Sequence, residues 1–305
     1  MDEPLVGAII LNTNRKEDTL ACLSSLQQCQ YSNLIVWVLD NSSTDGSVEA
    51  IRNEYPHTRI IQLTENKGYA GNNNVGISTA LEAGADWIFV LNEDTILESH
   101  SISNLIQFGI SNSKAGILGP LVYHFDEPFT VQSAGGIITK GWQAIHIGQN
   151  EQDQGQFSQP AQVDWISGCA IMVRRKVIEQ IGGIDERYFY YWEETEWCIR
   201  SRSVGWQVWV VPQAKIWHKG VQRNYQPSPN VTYYAARNRL LTLSKHHAPL
   251  ADRLSVNFSL LRTLLAWSLL PRWRNKKFHR NALLQGMLDF YSNHLGARRK
   301  IKMLE

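Results

Sequence analysis

The sequence lacks the cysteine pairs that build zinc clusters and redox centres. Its four cysteines, Cys22, Cys29, Cys169 and Cys198, form no C-x-x-C pair, so we expect free thiols in a reducing compartment. The N-terminus, MDEPLVGAIILN, carries acids where a signal peptide needs basic residues, and the apolar run behind them is short. We therefore expect a cytoplasmic protein whose first element is a strand. No internal repeat and no P-loop motif is present.

The sequence also has no apolar run of the roughly 20 residues that a membrane-spanning helix needs. The nearest candidate, FSLLRTLLAWSLL from Phe258 to Leu270, is interrupted by Arg262 and is followed by the basic and aromatic stretch RWRNKKFHR. Leucines at helical spacing beside basic residues are typical of a helix that lies on an anionic membrane, although a helix packed on its own core has the same spacing. We expect peripheral contact with the cytoplasmic membrane face. We expect no nucleic acid partner, because no nucleic-acid-binding motif accompanies the basic residues.

A net charge of only +2 hides an uneven distribution. Residues 231–305 contain 14 Lys and Arg against 3 Asp and Glu, whereas residues 1–230 contain 16 against 25. We therefore predict two parts, an acidic catalytic or binding domain at 1–230 and a basic helical C-terminal region at 231–305. The acidic part suits a metal site, and the basic part suits an anionic partner.

Apolar runs alternate with helical patterns over the first hundred residues. Strands are predicted at Val6–Leu11, Leu34–Leu39, Arg59–Leu63 and Trp87–Leu91, and the helix before the last of them is predicted to start near Gly71. This alternation predicts an α/β fold with a mostly parallel sheet and helices on both faces. Such sheets bind ligands beyond the carboxyl ends of their strands.

Polar motifs follow these predicted strands. Asp40 to Gly46 (DNSSTDG) suits a tight turn whose carboxylate accepts hydrogen bonds from a nucleoside, and a capped turn is the alternative. Asn66 to Gly76 (NKGYAGNNNVG) could bring backbone N–H groups to a diphosphate, or be a plain glycine-rich turn. Asn92-Glu93-Asp94 offers oxygen ligands to a hard divalent cation, or is a solvated acidic turn.

Two later motifs complete the set. Glu193-Glu194-Thr195-Glu196 lies among Tyr and Trp residues, where burial and like charge raise the pKa of a carboxyl group towards that of a general base; a water-facing cluster is the alternative. His218 follows a late strand and is of interest only as a further ligand for a metal near Asp94. Between the two groups of motifs, residues 123–163 are predicted to form a loop-rich insertion or short hairpins.

Taken in this order, the motifs resemble those of the family-2 inverting glycosyltransferases of GT-A fold, in particular their rhamnosyltransferase-like branch. The resemblance extends from Val6 to about Arg239. It includes the first strand ending in Asn12-Thr13-Asn14-Arg15, the D-N-x-S-x-D-G turn from Asp40, the segment Asn66 to Gly76, and Asn92-Glu93-Asp94 in the place of the D-x-D motif. It also includes Ser167 to Arg175, Gly182 to Arg200, and the late His218.

The resemblance implies transfer of a sugar, rhamnose in this branch, from a nucleotide diphosphate sugar to a hydroxyl of a glycan or lipid-linked acceptor in polysaccharide or cell-wall synthesis. It implies Mg²⁺ or Mn²⁺ bound by Asp94 and His218, and Glu194 as the base with Glu193 in reserve. Contacts to the sugar or acceptor are predicted for Trp165, Gly168, Tyr191 and Trp192. Donor contacts are predicted for Asn12, Asn14, Asp40, Asn41, Ser43, Asn66, Gly68, Asn72, Asn92 and Glu93.

Two departures from the family pattern leave alternatives open. Asn92 replaces the first carboxylate of the metal motif, and Glu194 and Glu196 replace two aspartates, which lengthens each side chain by one methylene. An inactive module that binds a nucleotide sugar is therefore one alternative. The other is a nucleotidyltransferase that makes such sugars, although it would want a basic glycine-rich signature that Asn12 to Arg15 does not provide.

Overall fold

The computed structural model describes residues 3–220 and 225–299. Its strands are β1 (Val6–Asn12), β2 (Leu34–Asp40), β3 (Arg59–Gln62), β4 (Trp87–Asn92), β5 (Thr95–Leu97), β6 (Ala115–His124), β7 (Val131–Ser133), β8 (Gly136–Ile138), β9 (Ala144–His146), β10 (Ala161–Gln162), β11 (Ala170–Arg174) and β12 (Gln207–His218).

Its helices are α1 (Lys16–Gln27), α2 (Ser47–Glu54), α3 (Gly68–Glu82), α4 (Ser101–Ser111), α5 (Arg175–Ile181), α6 (Glu193–Ser203), α7 (Pro229–Lys245), α8 (Leu250–Leu269) and α9 (Lys277–Tyr291). A short 3-10 helix, Pro271–Lys276, joins α8 to α9.

Ten strands form one central sheet in which eight follow the order β10-β12-β6-β11-β4-β1-β2-β3. The β4-β1-β2-β3 half is parallel throughout, as the alternation of strands and helices predicts. Strand β11 runs antiparallel to both of its neighbours, β4 and β6, and so joins this half to the parallel β6-β12 pair. The carboxyl ends of β1, β2 and β4 therefore lie side by side at one edge.

The sheet separates two hydrophobic cores, because successive side chains of a strand point to opposite faces. In β4, Trp87, Phe89 and Leu91 join the core formed with α1 and α4, whereas Ile88 and Val90 join the core formed with α3, α5 and α6. All five residues are at most 2% exposed. Burial on both faces explains the unbroken apolar run of this strand.

The sequence-based prediction differs from the structure at several boundaries. Helix α3 begins at Gly68 rather than near Gly71. The late strand that His218 was predicted to follow is β12, which includes His218 as its last residue and has an irregularity between Val211 and Lys215. Strand β6 extends into the predicted insertion as far as His124, and the rest of that insertion contains the β8-β9 hairpin and short strands.

The C-terminal helices pack together and against the main body of the protein. Helix α7 starts cleanly because the Ser228 side chain caps it and Pro229 occupies its first turn. Tyr188 in the main body and Thr242 on α7 share a buried hydrogen bond of 2.8 Å between their hydroxyls. The predicted division at residue 230 stays a prediction, and residues 300–305 of the predicted C-terminal region lie outside the described residues.

Candidate active site

A cleft of about 420 Å³ opens where β1, β2 and β4 end. It combines predicted residues with others that no motif argument had singled out. The predicted ones that line it are Asn41, Asn66, Gly68, Asn72, Asn92, Glu93, Asp94, Tyr191 and His218. The additional ones include Arg15, Tyr69, Phe189, Tyr190 and Tyr225. Arg15 and Tyr69 lie inside the motifs quoted above, so the sequence could have indicated them as cleft residues only because they are next to predicted site residues.

Asp40 and Asn12 lie beneath the cleft and are almost fully buried. Asn12 Nδ2 donates to Asp40 Oδ1 over 3.0 Å and to Ser43 Oγ over 3.1 Å, while Asp40 Oδ2 accepts from the Ser43 amide. Asn14 Oδ1 accepts from the Thr44 amide over 2.7 Å. These four side chains brace the turn after β2, and of the residues predicted in this group only Asn41 reaches the cleft wall.

The turn before α3 is built by two asparagines. Asn66 Oδ1 accepts from the Gly68 amide over 2.8 Å, and Asn72 Oδ1 accepts from the Lys67 amide over 2.9 Å. Gly68 has a φ of +74°, and a Cβ atom there would lie 2.3 Å from the Phe189 carbonyl oxygen, so no side chain fits. The sequence predicted free backbone amides at this helix start for binding a diphosphate. The amides of Gly68 and Ala70 are instead already hydrogen-bonded within the protein.

Asp94 and His218 meet because β5, which the sequence did not reveal, pairs with β12 in a register that places Thr95 opposite His218. His218 Nε2 lies 3.1 Å from Asp94 Oδ1 and 3.3 Å from Asn92 Nδ2. The contact between His218 Nε2 and Asp94 Oδ1 lacks hydrogen-bond geometry, so Asp94 Oδ1 is a buried atom without a hydrogen-bond partner. Burial alone would raise the pKa of Asp94, but His218 and Arg15 together outweigh it and hold that pKa below its usual value.

The environment of this pair fits a divalent cation. His218 Nδ1 lies 2.8 Å from Gln132 Oε1, which can only accept, so Nδ1 carries a proton and Nε2 is the ring nitrogen available to a metal ion beside Asp94. A Cβ atom at Gly220 would lie 2.6 Å from Asp94 Oδ2 and 3.0 Å from His218 Nε2, so glycine keeps this space open. Within residues 3–220 and 225–299 no three His, Cys, Asp or Glu side chains form a metal cluster. The remaining ligands would have to be substrate oxygens and water.

A strained aromatic loop leads to the predicted base. Phe189, Tyr191 and Trp192 all have positive φ angles, between 63° and 77°, although none is glycine. Such conformations cost about 1–3 kcal/mol each and persist only where surrounding contacts enforce them. Helix α6 begins directly after Trp192, so the loop determines where Glu193 and Glu194 lie.

Glu193 and Glu194 lie just behind the cleft wall. Glu194 is half-buried, and its side chain packs on Gly168, where an added Cβ would lie 3.5 Å from Glu194 Cγ. The Gly168 carbonyl accepts a 2.5 Å hydrogen bond from Tyr69, which lines the cleft. Burial raises the pKa of Glu194 to about 7, and burial together with the Glu194 charge raises the pKa of Glu193 well above its usual value.

Glu196, the other glutamate at a family aspartate position, has a structural environment. It is fully buried, and its carboxylate lies 3.0 Å from Arg200, 2.8 Å from Lys245 and 3.1 Å from His246. Burial opposes its ionisation, but the His246 hydrogen bond and these cations lower the pKa of Glu196 to about 2. Because its charge is already balanced, Glu196 is poorly suited to accept a proton from a substrate.

The residues that hold the strained loop come from α7 and were missed by the sequence-based reasoning. Asn238 Nδ2 lies 2.9 Å, 2.9 Å and 2.6 Å from the carbonyl oxygens of Tyr188, Tyr190 and Tyr191. Arg237 donates to the carbonyls of Arg187 and Tyr188, and both α7 side chains are fully buried. The sequence shows Arg237 and Asn238 shortly after two tyrosines, but no neighbouring residue indicates that their side chains would bind the backbone of the loop before α6.

The residues predicted to contact sugar or acceptor separate in the structure. Tyr191 lines the cleft, and Gly168 lies between Tyr69 and Glu194. Trp192 lines a different groove, next to α7 and α8. Trp165 is 4% exposed, its ring lies 4.6 Å from that of His146 at an angle of 58°, and its indole donates to the Ile137 carbonyl. Trp165 therefore packs inside the protein.

Comparison with known proteins gives a family and a fold. The model of glycosyl transferase family 2 matches residues 8–182. The chain is 29% identical over 279 residues to N-acetylglucosaminyl-diphospho-decaprenol L-rhamnosyltransferase of Mycobacterium tuberculosis, covering 84% of this chain and 91% of that one. It is 29% identical over 273 residues to dTDP-rhamnosyl transferase RfbF of Shigella flexneri, covering 85% and 87%.

Among solved structures, a mannosyltransferase of Pyrobaculum calidifontis in complex with GDP-Man and Mn²⁺ superposes with a TM-score of 0.59 at 14% identity, covering 96% of this chain and 88% of that one. This likeness confirms the expected GT-A fold. Because the family model covers more than half of the chain and its matched residues contain most of β1, all of β2 and β4, and the polar ends of these strands, the protein belongs to glycosyl transferase family 2.

Proposed function

We propose that the protein transfers rhamnose from a nucleotide diphosphate sugar, with dTDP-rhamnose as the first candidate, to a hydroxyl of a lipid-linked glycan with inversion at the anomeric carbon. The proposal is supported by two relatives whose names specify rhamnosyl transfer, one of them to a diphospho-decaprenol acceptor. The observation that carries it is a single cleft lined by Asn41, Asn72, Asp94 and His218, with Glu194 one residue layer away.

The cation would be held by Asp94 and His218 and would stabilise the negative charge that develops on the departing diphosphate. Asn92 supplies an amide rather than a carboxylate, so the protein contributes less negative charge to the ion than a D-x-D site does. Arg15 lines the same cleft, and its cationic head can offset part of the diphosphate charge.

Glu194 is the proposed base. Its raised pKa suits proton transfer near neutral pH, and its side chain lies against Gly168, next to the cleft wall. The acceptor oxygen forms its bond to the anomeric carbon from the face opposite the diphosphate while the carbon–oxygen bond to the diphosphate breaks. The acceptor proton passes to Glu194, and the leaving group carries away the bonding electron pair, so the anomeric configuration inverts.

The test is a binding and turnover screen of UDP-, GDP- and dTDP-sugars with and without Mn²⁺. We expect saturable, metal-dependent binding of one nucleotide class and slow hydrolysis of its sugar donor without acceptor. Binding without any hydrolysis or transfer would favour the inactive sugar-nucleotide module. If no nucleotide binds with metal present, the proposed function is wrong.

We further propose that the enzyme works at an anionic membrane surface on which α8 lies. Five apolar side chains of α8 are 58–75% exposed and recur along one face of the helix, namely Leu250, Leu254, Phe258, Leu265 and Leu269. The exposed cations Arg272, Arg274 and Lys277 follow directly. In the described part of the chain no helix alone has the length and hydrophobicity to cross a bilayer, and α8 with Pro271–Tyr291 has them only as a pair bent by 108°.

Flotation with liposomes containing anionic lipid tests this surface. Leu254→Glu with Leu265→Glu should reduce binding about tenfold or more, since two large apolar side chains lose their burial in lipid. Ile110→Glu is the matched control, because Ile110 is 53% exposed on α4, outside this surface. Equal flotation of the parent, the double leucine variant and Ile110→Glu would contradict the proposal.

A further inference from the structure

A second groove, distinct from the nucleotide cleft, runs between α7, α8 and the β8-β9 hairpin. Its volume is about 480 Å³, within the range of sites that bind small molecules. Its walls are mainly apolar and aromatic. The hairpin contributes Ala144 and Ile145, α7 contributes Ala235 and Ala236, and α8 contributes Leu260, Thr263 and Trp267.

The groove is lined from both places where the proposed reaction needs the acceptor. One lining residue is Trp192, which directly precedes Glu193 and the proposed base Glu194. Others are Leu260, Thr263 and Trp267, which lie on the side of α8 nearly opposite its exposed apolar face, at about 100° of rotation per residue. One helix therefore separates the groove from the proposed membrane surface.

The groove also contains an incompletely paired cation. Arg239 lies on its wall and donates to the Gly141 carbonyl, but its buried Nε atom has no hydrogen-bond partner. Burial lowers the pKa of this guanidinium below its usual value, which reflects the cost of burying a charge without a counter-charge. An anion in the groove would supply the missing counter-charge to the part of the guanidinium that lines it.

We infer that this groove binds the lipid-diphosphate part of the acceptor, with the chain against the apolar wall and the diphosphate near Arg239. The inference rests on the proposed function, since it assigns a site to that reaction's second substrate. An apolar wall with one guanidinium that lacks a counter-charge matches a molecule that is apolar along its chain and anionic at its head. The glycan beyond the diphosphate then extends past Trp192 towards Glu194.

The test measures binding of farnesyl diphosphate by calorimetry, with the nucleotide cleft saturated by the nucleoside diphosphate that the parent protein binds best. Farnesol and inorganic pyrophosphate are the two half-probes. Thr263→Trp fills the groove, and Ser255→Trp is its control at an exposed site on the same helix. Arg239→Gln removes the cation, and Arg253→Gln is its control, because Arg253 also has a buried unpaired Nε but lies outside the groove.

We expect saturable binding of farnesyl diphosphate that Thr263→Trp weakens about tenfold or more, the loss expected when about two methylene groups can no longer be buried. Arg239→Gln should weaken farnesyl diphosphate but not farnesol, and both controls should bind as the parent does. No saturable binding, or equal effects of a variant and its control, overturns the inference. Nucleoside diphosphate binding is measured for every protein, so the groove can fail while the nucleotide site, and with it the proposed function, stands.

Discussion

Asn238 should control turnover without touching the substrate. Asn238→Ala removes an amide that donates to the carbonyls of the loop carrying Tyr190 and Tyr191 and accepts from Arg237 Nε over 2.9 Å. Its two N–H groups and one oxygen account for about three hydrogen bonds at roughly 1 kcal/mol each, and the carbonyls left behind are buried. We therefore expect a loss of about 2–4 kcal/mol in the free energy of unfolding.

The effect on turnover should be larger than the effect on nucleotide binding. The loop sets the start of α6, and a displacement of about 1 Å at a catalytic group can cost about 100-fold in rate. Nucleoside diphosphate affinity should change less than turnover: Tyr190 and Tyr191 line the cleft, but the hydrogen bonds that build the turns after β2 and before α3 do not involve Asn238. Urea unfolding measures the stability change, and donor hydrolysis per folded molecule measures the rate.

The control is Asn257→Ala, on α8, where Asn257 Nδ2 donates to the Arg253 carbonyl and Oδ1 accepts from Tyr291. This half-buried asparagine is far from the loop in the chain, so its removal should leave turnover unchanged. Should Asn238→Ala lose stability but keep the parent rate per folded molecule, the loop does not need α7 to position the base. A stability change below about 0.5 kcal/mol would refute the hydrogen-bond reasoning itself.

Three further predictions concern charged groups. Asp94→Ala, or EDTA, should reduce turnover by about 100-fold or more while circular dichroism shows an intact fold, and full activity in EDTA would exclude the metal. Turnover should rise with pH through about 7 as Glu194 loses its proton, and Glu194→Gln should abolish that rise and lower the rate about 100-fold or more. The pKa of Glu196 is lowered to about 2, so its ionised carboxylate stabilises the fold above the unfolded pKa of about 4.3, and this stabilisation is lost as pH falls towards 2. Glu196→Gln should lower the free energy of unfolding by about 3–5 kcal/mol at pH 7, measured by urea unfolding. The variant should also lose less stability than the parent between about pH 4.3 and pH 2.

The sequence predicted the parallel half of the sheet well, because β1, β2 and β4 are buried on both faces and appear as unbroken apolar runs. It missed β5, three residues long, and the register of β5 with β12. Pairing between strands more than a hundred residues apart leaves no local pattern. His218 could therefore be proposed as a metal ligand only in combination with the other motifs, and its position beside Asp94 became visible only in the structure.

The C-terminal region shows a similar limit of sequence reasoning. Its basic composition and leucine spacing predicted a surface role, and α8 does expose an apolar face. The spacing could not show that α7 is fully engaged with the loop before α6 through Arg237 and Asn238, since buried polar residues look like surface residues in a hydrophobicity pattern. Composition and spacing therefore predicted the exposed face of this region but not its buried contacts with the loop before α6.

The two adjacent glutamates illustrate how their environment distinguishes them despite their identical chemistry. Glu193 is 4% exposed, and its buried Oε2 atom has no hydrogen-bond partner, whereas Glu194 is half-buried beside Gly168. The N-terminus of α6 favours carboxylate charge by at most about 2 kcal/mol, or about 1.5 pKa units, and burial outweighs it at both residues. Glu194 ionises first, and its charge then keeps the pKa of Glu193 raised. Of the two, Glu194 is the half-buried residue beside Gly168 and has the less strongly raised pKa, so it is the better placed to accept a proton from the acceptor hydroxyl.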